Sequence, residues 1–79
     1  MTERDPRVDP QEGDALVYRE WDYTVHFKVT SRSPRIVRFD EWYVDANGVS
    51  PITSFAIRIR EWRSGVSDYQ VAEPSHAAD

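Results

Sequence analysis

Trp21-Asp22-Tyr23-Thr24-Val25-His26-Phe27-Lys28-Val29-Thr30 alternates apolar and polar residues without a break, and its reading decides the fold. Trp21, Tyr23, Val25, Phe27 and Val29 fall on one face; Asp22, Thr24, His26, Lys28 and Thr30 fall on the other. A period of two built from β-branched and aromatic residues marks a half-buried strand. Ser31-Arg32-Ser33-Pro34 follows, rich in turn formers, and Ile36 to Val44 is a second β-prone run. Together they read as a long antiparallel hairpin with one face against a core.

The second strand can be oriented by its apolar set. Val37, Phe39 and Tyr43 share one face, interrupted by Glu41; Ile36, Trp42 and Val44 share the other, interrupted by Arg38 and Asp40. The preferred reading packs Val37, Phe39 and Tyr43 inward, since a one-residue slip would expose that set. Arg38, Asp40 and Trp42 then stand outward beside His26 and Lys28.

Upstream, Gly13-Asp14 punctuates the chain before Ala15-Leu16-Val17-Tyr18, a turn leading into a short strand, with Arg19-Glu20 as a bend. Residues 1–12 are polar, hold Pro6 and Pro10, and read as a flexible arm from which Val8 could latch onto the core. Downstream, Asp45-Ala46-Asn47-Gly48 is a turn of the kind Asn-Gly favours. The period then changes. Ile52, Phe55, Ile59, Trp62 and Val66 are spaced 3, 4, 3 and 4, which makes a helical stripe. Ser50 suits its N-cap, Pro51 its first position, and Gly65 the position after its end.

Phe55-Ala56-Ile57-Arg58-Ile59-Arg60 supports a competing reading, a strand burying Phe55, Ile57 and Ile59. The helical template accounts for five apolar positions and both caps; the strand template accounts for three and explains Ile57. The helix is the expectation. Residues 13–71 then form one small β-rich domain and 72–79 a disordered tail. The fold class expected is α+β, mostly β: a small antiparallel sheet or SH3-like partial barrel with one C-terminal helix. Its core would be Leu16, Tyr23, Val25, Phe27, Val29, Val37, Phe39, Tyr43, Ile52, Phe55, Ile59 and Trp62.

Composition narrows the function classes. The 79 residues include no cysteine, so neither a disulfide framework nor a thiolate metal site is available, and 13% aromatic content must supply the core. No apolar run approaches the roughly 18 residues of a membrane span, and no signal-peptide h-region opens the chain, so a soluble, cytoplasmic protein is expected. The net charge of −4 is uneven. Residues 1–14 carry five acids and two bases, residues 67–79 three acids, and residues 15–66 eight bases against six acids. The middle of the chain is therefore mildly basic, which matters more for a polyanionic partner than the total does.

The opening Asp5-Pro6-Arg7-Val8-Asp9-Pro10-Gln11-Glu12-Gly13-Asp14-Ala15-Leu16 resembles that of a group of short uncharacterised proteins from bacteria and their phages. That group shows a D-P-R-x-D-P-x-x-G-D-x-L opening, short strands, then a Trp-bearing helix near the end. Ile59-Arg60-Glu61-Trp62-Arg63 is similar in character to that last helix. The detailed match covers about a dozen residues, the hairpin here is longer and more aromatic, and one Trp stands where the group often shows two. The resemblance implies a phage or prophage origin and transfers no activity.

Catalytic motifs are missing from the sequence: no phosphate loop, Rossmann fingerprint, nucleophile elbow or H-E-x-x-H. His76 falls in the expected tail. His26 lies on the polar hairpin face with Asp22, Asp40 and Glu41 as its only nearby acids, and Asp40 and Glu41 point to opposite faces of one strand. No enzyme, metal or cofactor is expected. The leading expectation is a non-catalytic protein-interaction module, since Trp, Tyr and Arg are the interface hot-spot types and an open edge such as 15–18 would invite strand addition. The alternative is a small nucleic-acid-binding domain that stacks bases on the hairpin face formed by His26, Lys28, Arg38 and Trp42. Against it stands a plainer arrangement, with Trp42 buried beneath the helix and Lys28 paired with Asp40 across the strands. Arg58, Arg60 and Arg63 read most simply as a solvated helix face.

Overall fold

The hairpin forms as the alternation requires. In the computed structural model, which describes residues 4–72, β2 (Tyr23–Arg32) and β3 (Ile36–Asp45) pair antiparallel from Tyr23↔Asp45 to Arg32↔Val37. Val25, Phe27, Val29, Val37 and Phe39 are buried on one face, the orientation expected from Val37 and Phe39. Ser33 closes the turn: its N–H donates to the Ile36 carbonyl at 2.8 Å, and its hydroxyl accepts the Ile36 N–H at 3.2 Å. A β-bulge between Val29 and Ser31 inserts Thr30 and reverses the alternation beyond it. Arg32 consequently stands opposite Val37 on the inner face, where it donates to Asp9 at 2.9 Å.

Around this hairpin the sheet grows on both sides. β1 (Ala15–Arg19) pairs with β2, and β6 (Gln70–Val71) pairs with β1 at Leu16 and Val17. The 15–18 edge is thus capped, not open. On the far side of β3, β4 (Gly48–Val49) and β5 (Thr53–Arg58) pair with successive parts of the same strand, giving an open antiparallel sheet with one short helix, α1 (Ile59–Gly65).

The helix expected from Ser50 is overturned in its first half. Residues 53–58 are a strand in register with Glu41 to Ile36, and the helix begins only at Ile59. The physical reason lies in the turn before it. Asn47 N–H bonds the Asp45 carboxylate at 2.8 Å and Gly48 takes φ +127, so the chain returns antiparallel along β3 and satisfies an otherwise unpaired edge. Ser50 caps no helix. Its amide donates to the Tyr43 carbonyl at 2.8 Å and its hydroxyl accepts the Tyr43 N–H at 2.9 Å. Pro51, which has no amide hydrogen, stands between β4 and β5 where the pairing to β3 is interrupted. The later part of the helical stripe survives: Ile59, Trp62 and Val66 are all buried.

Trp62 is the centre of the core. Its ring is fully buried, with Phe27 and Phe39 centroids at 5.9 and 5.0 Å, and its indole N–H donates to the Pro6 carbonyl at 3.0 Å. Residues 4–12, read from the sequence as an arm, lie across α1 and the sheet. Pro6 and Pro10 are buried, Val8 accepts a bond from Arg63 Nε at 2.8 Å, and Arg7 reaches the Tyr69 carbonyl at 3.3 Å. Gly13, at φ +93, turns the chain so that its amide and the Asp14 carbonyl bond Val29 at 2.9 and 2.8 Å, beside the bulge. Three ion pairs, Arg4–Asp14, Arg7–Asp5 and Arg32–Asp9, tie this segment together. The Asp-Pro-Arg opening therefore has a structural task, clasping α1 to the sheet. Ala72 N–H bonds the Ala15 carbonyl at 2.9 Å; residues 73–79 of the expected tail, His76 included, lie outside the described residues.

Four expected core residues are not in it. Tyr23, Tyr43, Ile52 and Phe55 are 36%, 44%, 62% and 41% exposed. Ile52 precedes β5 on the sheet edge, and the other three lie on the inner face, where Trp62 of α1 covers Phe27 and Phe39. Val17 and Val66, absent from the expected core, are buried.

Candidate binding faces

The four residues singled out from the sequence share the outer face. His26 stands opposite Trp42, with their rings parallel within 5° at 5.5 Å. Thr24 Oγ1 lies 2.9 Å from His26 Nε2. Burial first, and the Arg19 charge second, push the imidazole below its ordinary pKa, so it is neutral at neutral pH. Trp42 is half-buried on this face, and the place beneath the helix belongs to Trp62. Lys28 stands opposite Asp40 without forming an ion pair; Asp40 instead accepts the Ser54 hydroxyl at 2.7 Å. Arg38 is exposed between Ser31 and Ala56 in the register. Among the described residues, no group of three His, Asp or Glu side chains could hold a metal ion, and no helix is long and apolar enough to cross a membrane.

A second face was not visible in the sequence. All four tyrosines lie on the inner side of the sheet: Tyr18 and Tyr69 pack against the core, and Tyr23 and Tyr43 are exposed. Tyr18 and Tyr43 flank Val25 in one cross-strand row, and Tyr23 approaches Tyr43 at 6.0 Å. Tyr69 stacks on Phe27 at 4.7 Å and meets Tyr18 at 5.3 Å, while Phe55 stacks on Phe39 at 5.5 Å. Carboxylates surround the cluster. Burial, then the Glu41 charge, raise the Tyr69 phenol to about 12, and the neighbouring Glu20, with Asp68 farther off, raises Tyr18. The surface offers phenol hydroxyls and ring faces within a negative field. Along its margin Val49 and Ile52 are more than half exposed, and among the described residues one backbone edge of β5 has no strand partner.

The signal for this face existed in part: Tyr18, Tyr23 and Tyr43 share the parity of the core positions Leu16, Val25 and Phe39. What the parity could not reveal is that α1 is too short to cover them. Family models, curated proteins and solved structures offer no match to this chain.

Proposed function

We propose that this chain is a non-catalytic protein-binding module that docks a partner on the uncovered, tyrosine-rich half of its inner face. The observation that carries the reading is Tyr23, Tyr43 and Phe55, each more than a third exposed on the same face as the core. A domain this small gains from burying every large ring, about 25 cal/mol per Å² of apolar surface, so rings left in water are better explained by a second binding event. Tyrosine combines area, few rotatable bonds and a polar tip, which suits transient contacts. Glu20, Glu41 and Asp68 select an extended partner segment with apolar and basic side chains. The SH3-like likeness read from the sequence enters as analogy, since SH3 domains receive extended peptides on aromatic-lined grooves. A cytoplasmic setting and a phage or prophage origin belong to the same proposal.

Affinity capture from lysate with the parent and with Tyr43→Ser/Phe55→Ser tests it. A protein retained by the parent, lost by the double variant and kept by Trp42→Ala supports the reading. Equal retention by parent and double variant contradicts it.

The alternative, single-stranded nucleic acid on the outer face, draws on the His26–Trp42 stack flanked by Lys28 and Arg38. Oligonucleotide binding that quenches Trp fluorescence, weakens steeply with salt and vanishes in Trp42→Ala would favour it. A flat titration at low salt removes it.

A further inference from the structure

A cavity among the described residues belongs to neither face. It measures about 530 Å³ and opens where the β2–β3 turn meets the junction of β5 and α1. Arg35, Arg58, Arg60 and Arg63 line it, with Pro34, Ile36 and Ile59 supplying its apolar wall. Two backbone contacts build the place: Ile36 pairs with Arg58 in the β3–β5 register, and the Ile59 N–H donates to the Arg35 carbonyl at 2.8 Å. That bond also commits the Ile59 amide, and the Arg58 amide faces the Glu61 carboxylate at 3.4 Å. Recognition here therefore falls to the arginine side chains.

Among the described residues their charge is not spent on ion pairs. The three ion pairs of the described residues take Arg4, Arg7 and Arg32, all in or against the N-terminal segment. None of the four cavity arginines has a carboxylate within ion-pair distance among those residues; Arg63 uses Nε on the Val8 carbonyl. Gathering four guanidinium groups raises the energy of the folded state through like-charge repulsion, which a bound anion relieves. A carboxylate would supply one negative charge. A phosphate ester supplies nearly two and three acceptor oxygens, matched to the guanidinium fork. The volume falls in the range of small-molecule sites, and the Pro34–Ile36–Ile59 wall can receive a flat apolar group.

We propose that this cavity binds a phosphate-bearing ligand of nucleotide size, its phosphate oxygens held by Arg35, Arg58, Arg60 and Arg63 and its ring against Pro34 and Ile36. This site stands independently of protein docking on the tyrosine face.

The test is calorimetric titration of the full chain with inorganic pyrophosphate, ADP, and oligothymidylate with and without a 5′-phosphate. The variants are Arg58→Gln/Arg60→Gln, Arg35→Gln, and Arg19→Gln as a control outside the cavity. All replace exposed side chains, and circular dichroism checks that each remains folded. The expected result is saturable binding of pyrophosphate or ADP, weakened at least about tenfold by the double variant and unchanged by Arg19→Gln. ADP binding with no gain for the oligonucleotide assigns a free nucleotide as the source. Tighter binding of the phosphorylated oligonucleotide assigns a nucleic-acid end. No heat from any phosphate probe at millimolar concentration, or equal affinity in parent and double variant, overturns the proposal.

Discussion

Replacing Trp62 by Phe isolates the clasp that holds the N-terminal segment, the helix and the sheet together. The indole is fully buried and its N–H is the donor to the Pro6 carbonyl. Phe keeps an aromatic ring against Phe27 and Phe39 but removes that donor. A buried carbonyl left without a partner costs roughly 1–3 kcal/mol. The missing part of the ring system leaves a void on the order of 40 Å³, about 1 kcal/mol at ~24 cal/mol per Å³. The expected loss is about 2–4 kcal/mol, a large share of the roughly 5–15 kcal/mol that stabilises a natural domain. Urea unfolding should be followed by far-ultraviolet circular dichroism, because the substitution removes a fluorescent reporter. Arg63→Ala, which removes an exposed bond to Val8, should cost no more than about 1 kcal/mol. If Trp62→Phe unfolds within about 0.5 kcal/mol of the parent, the segment does not clasp the helix and the assignment of residues 5–14 to folding fails.

Further predictions follow from single sites. Gly13 adopts φ +93, so Gly13→Ala should destabilise by about 1–2 kcal/mol; Gly65, without positive φ or a crowding neighbour, should accept Ala with a gain of up to about 1 kcal/mol. His26 binds its proton less readily in the folded state than at its ordinary value of 6.5. The unfolded chain therefore takes up more protons just below that pH, and stability should fall as pH drops through this window. His26→Gln should flatten that part of a pH series of urea melts. For Tyr69 the sign is opposite: a phenol raised from 10 to about 12 should lose its stabilising contribution as pH climbs between those values. In an absorbance titration Tyr69→Phe should remove the last phenol to ionise.

Much of the fold was legible because the hairpin carries its own instructions. Ten alternating residues, a Ser-Pro turn and an Asn-Gly turn define β2, β3 and the return of the chain. Residues 52–66 misled because their spacing satisfies a helix and a strand in succession. Ile59, Trp62 and Val66 obey the helical template, while Phe55 and Ile57 obey the strand template that the open edge of β3 imposes. The Asp-Pro-Arg opening looked polar enough to float free, since the burial of Pro6 and Pro10 depends on partners more than 20 positions away, Arg32 and Trp62 among them. Of the candidate sites, the His26–Trp42 pairing followed from the facing of one strand. The tyrosine cluster and the arginine cavity needed tertiary knowledge: how far the helix reaches, and which turn meets it.

Adjacent positions on β3 give the most direct test of the central claim. Tyr43 lies on the inner face and Trp42 on the outer, so a photo-crosslinking benzophenone side chain installed at one position or the other samples opposite sides of the same strand. Irradiation in cells producing the protein should yield a discrete protein adduct from position 43, lost when Phe55 is also replaced by Ser, and none of that adduct from position 42. Adducts from position 42 alone, or the same adducts from both positions, would contradict docking on the tyrosine face.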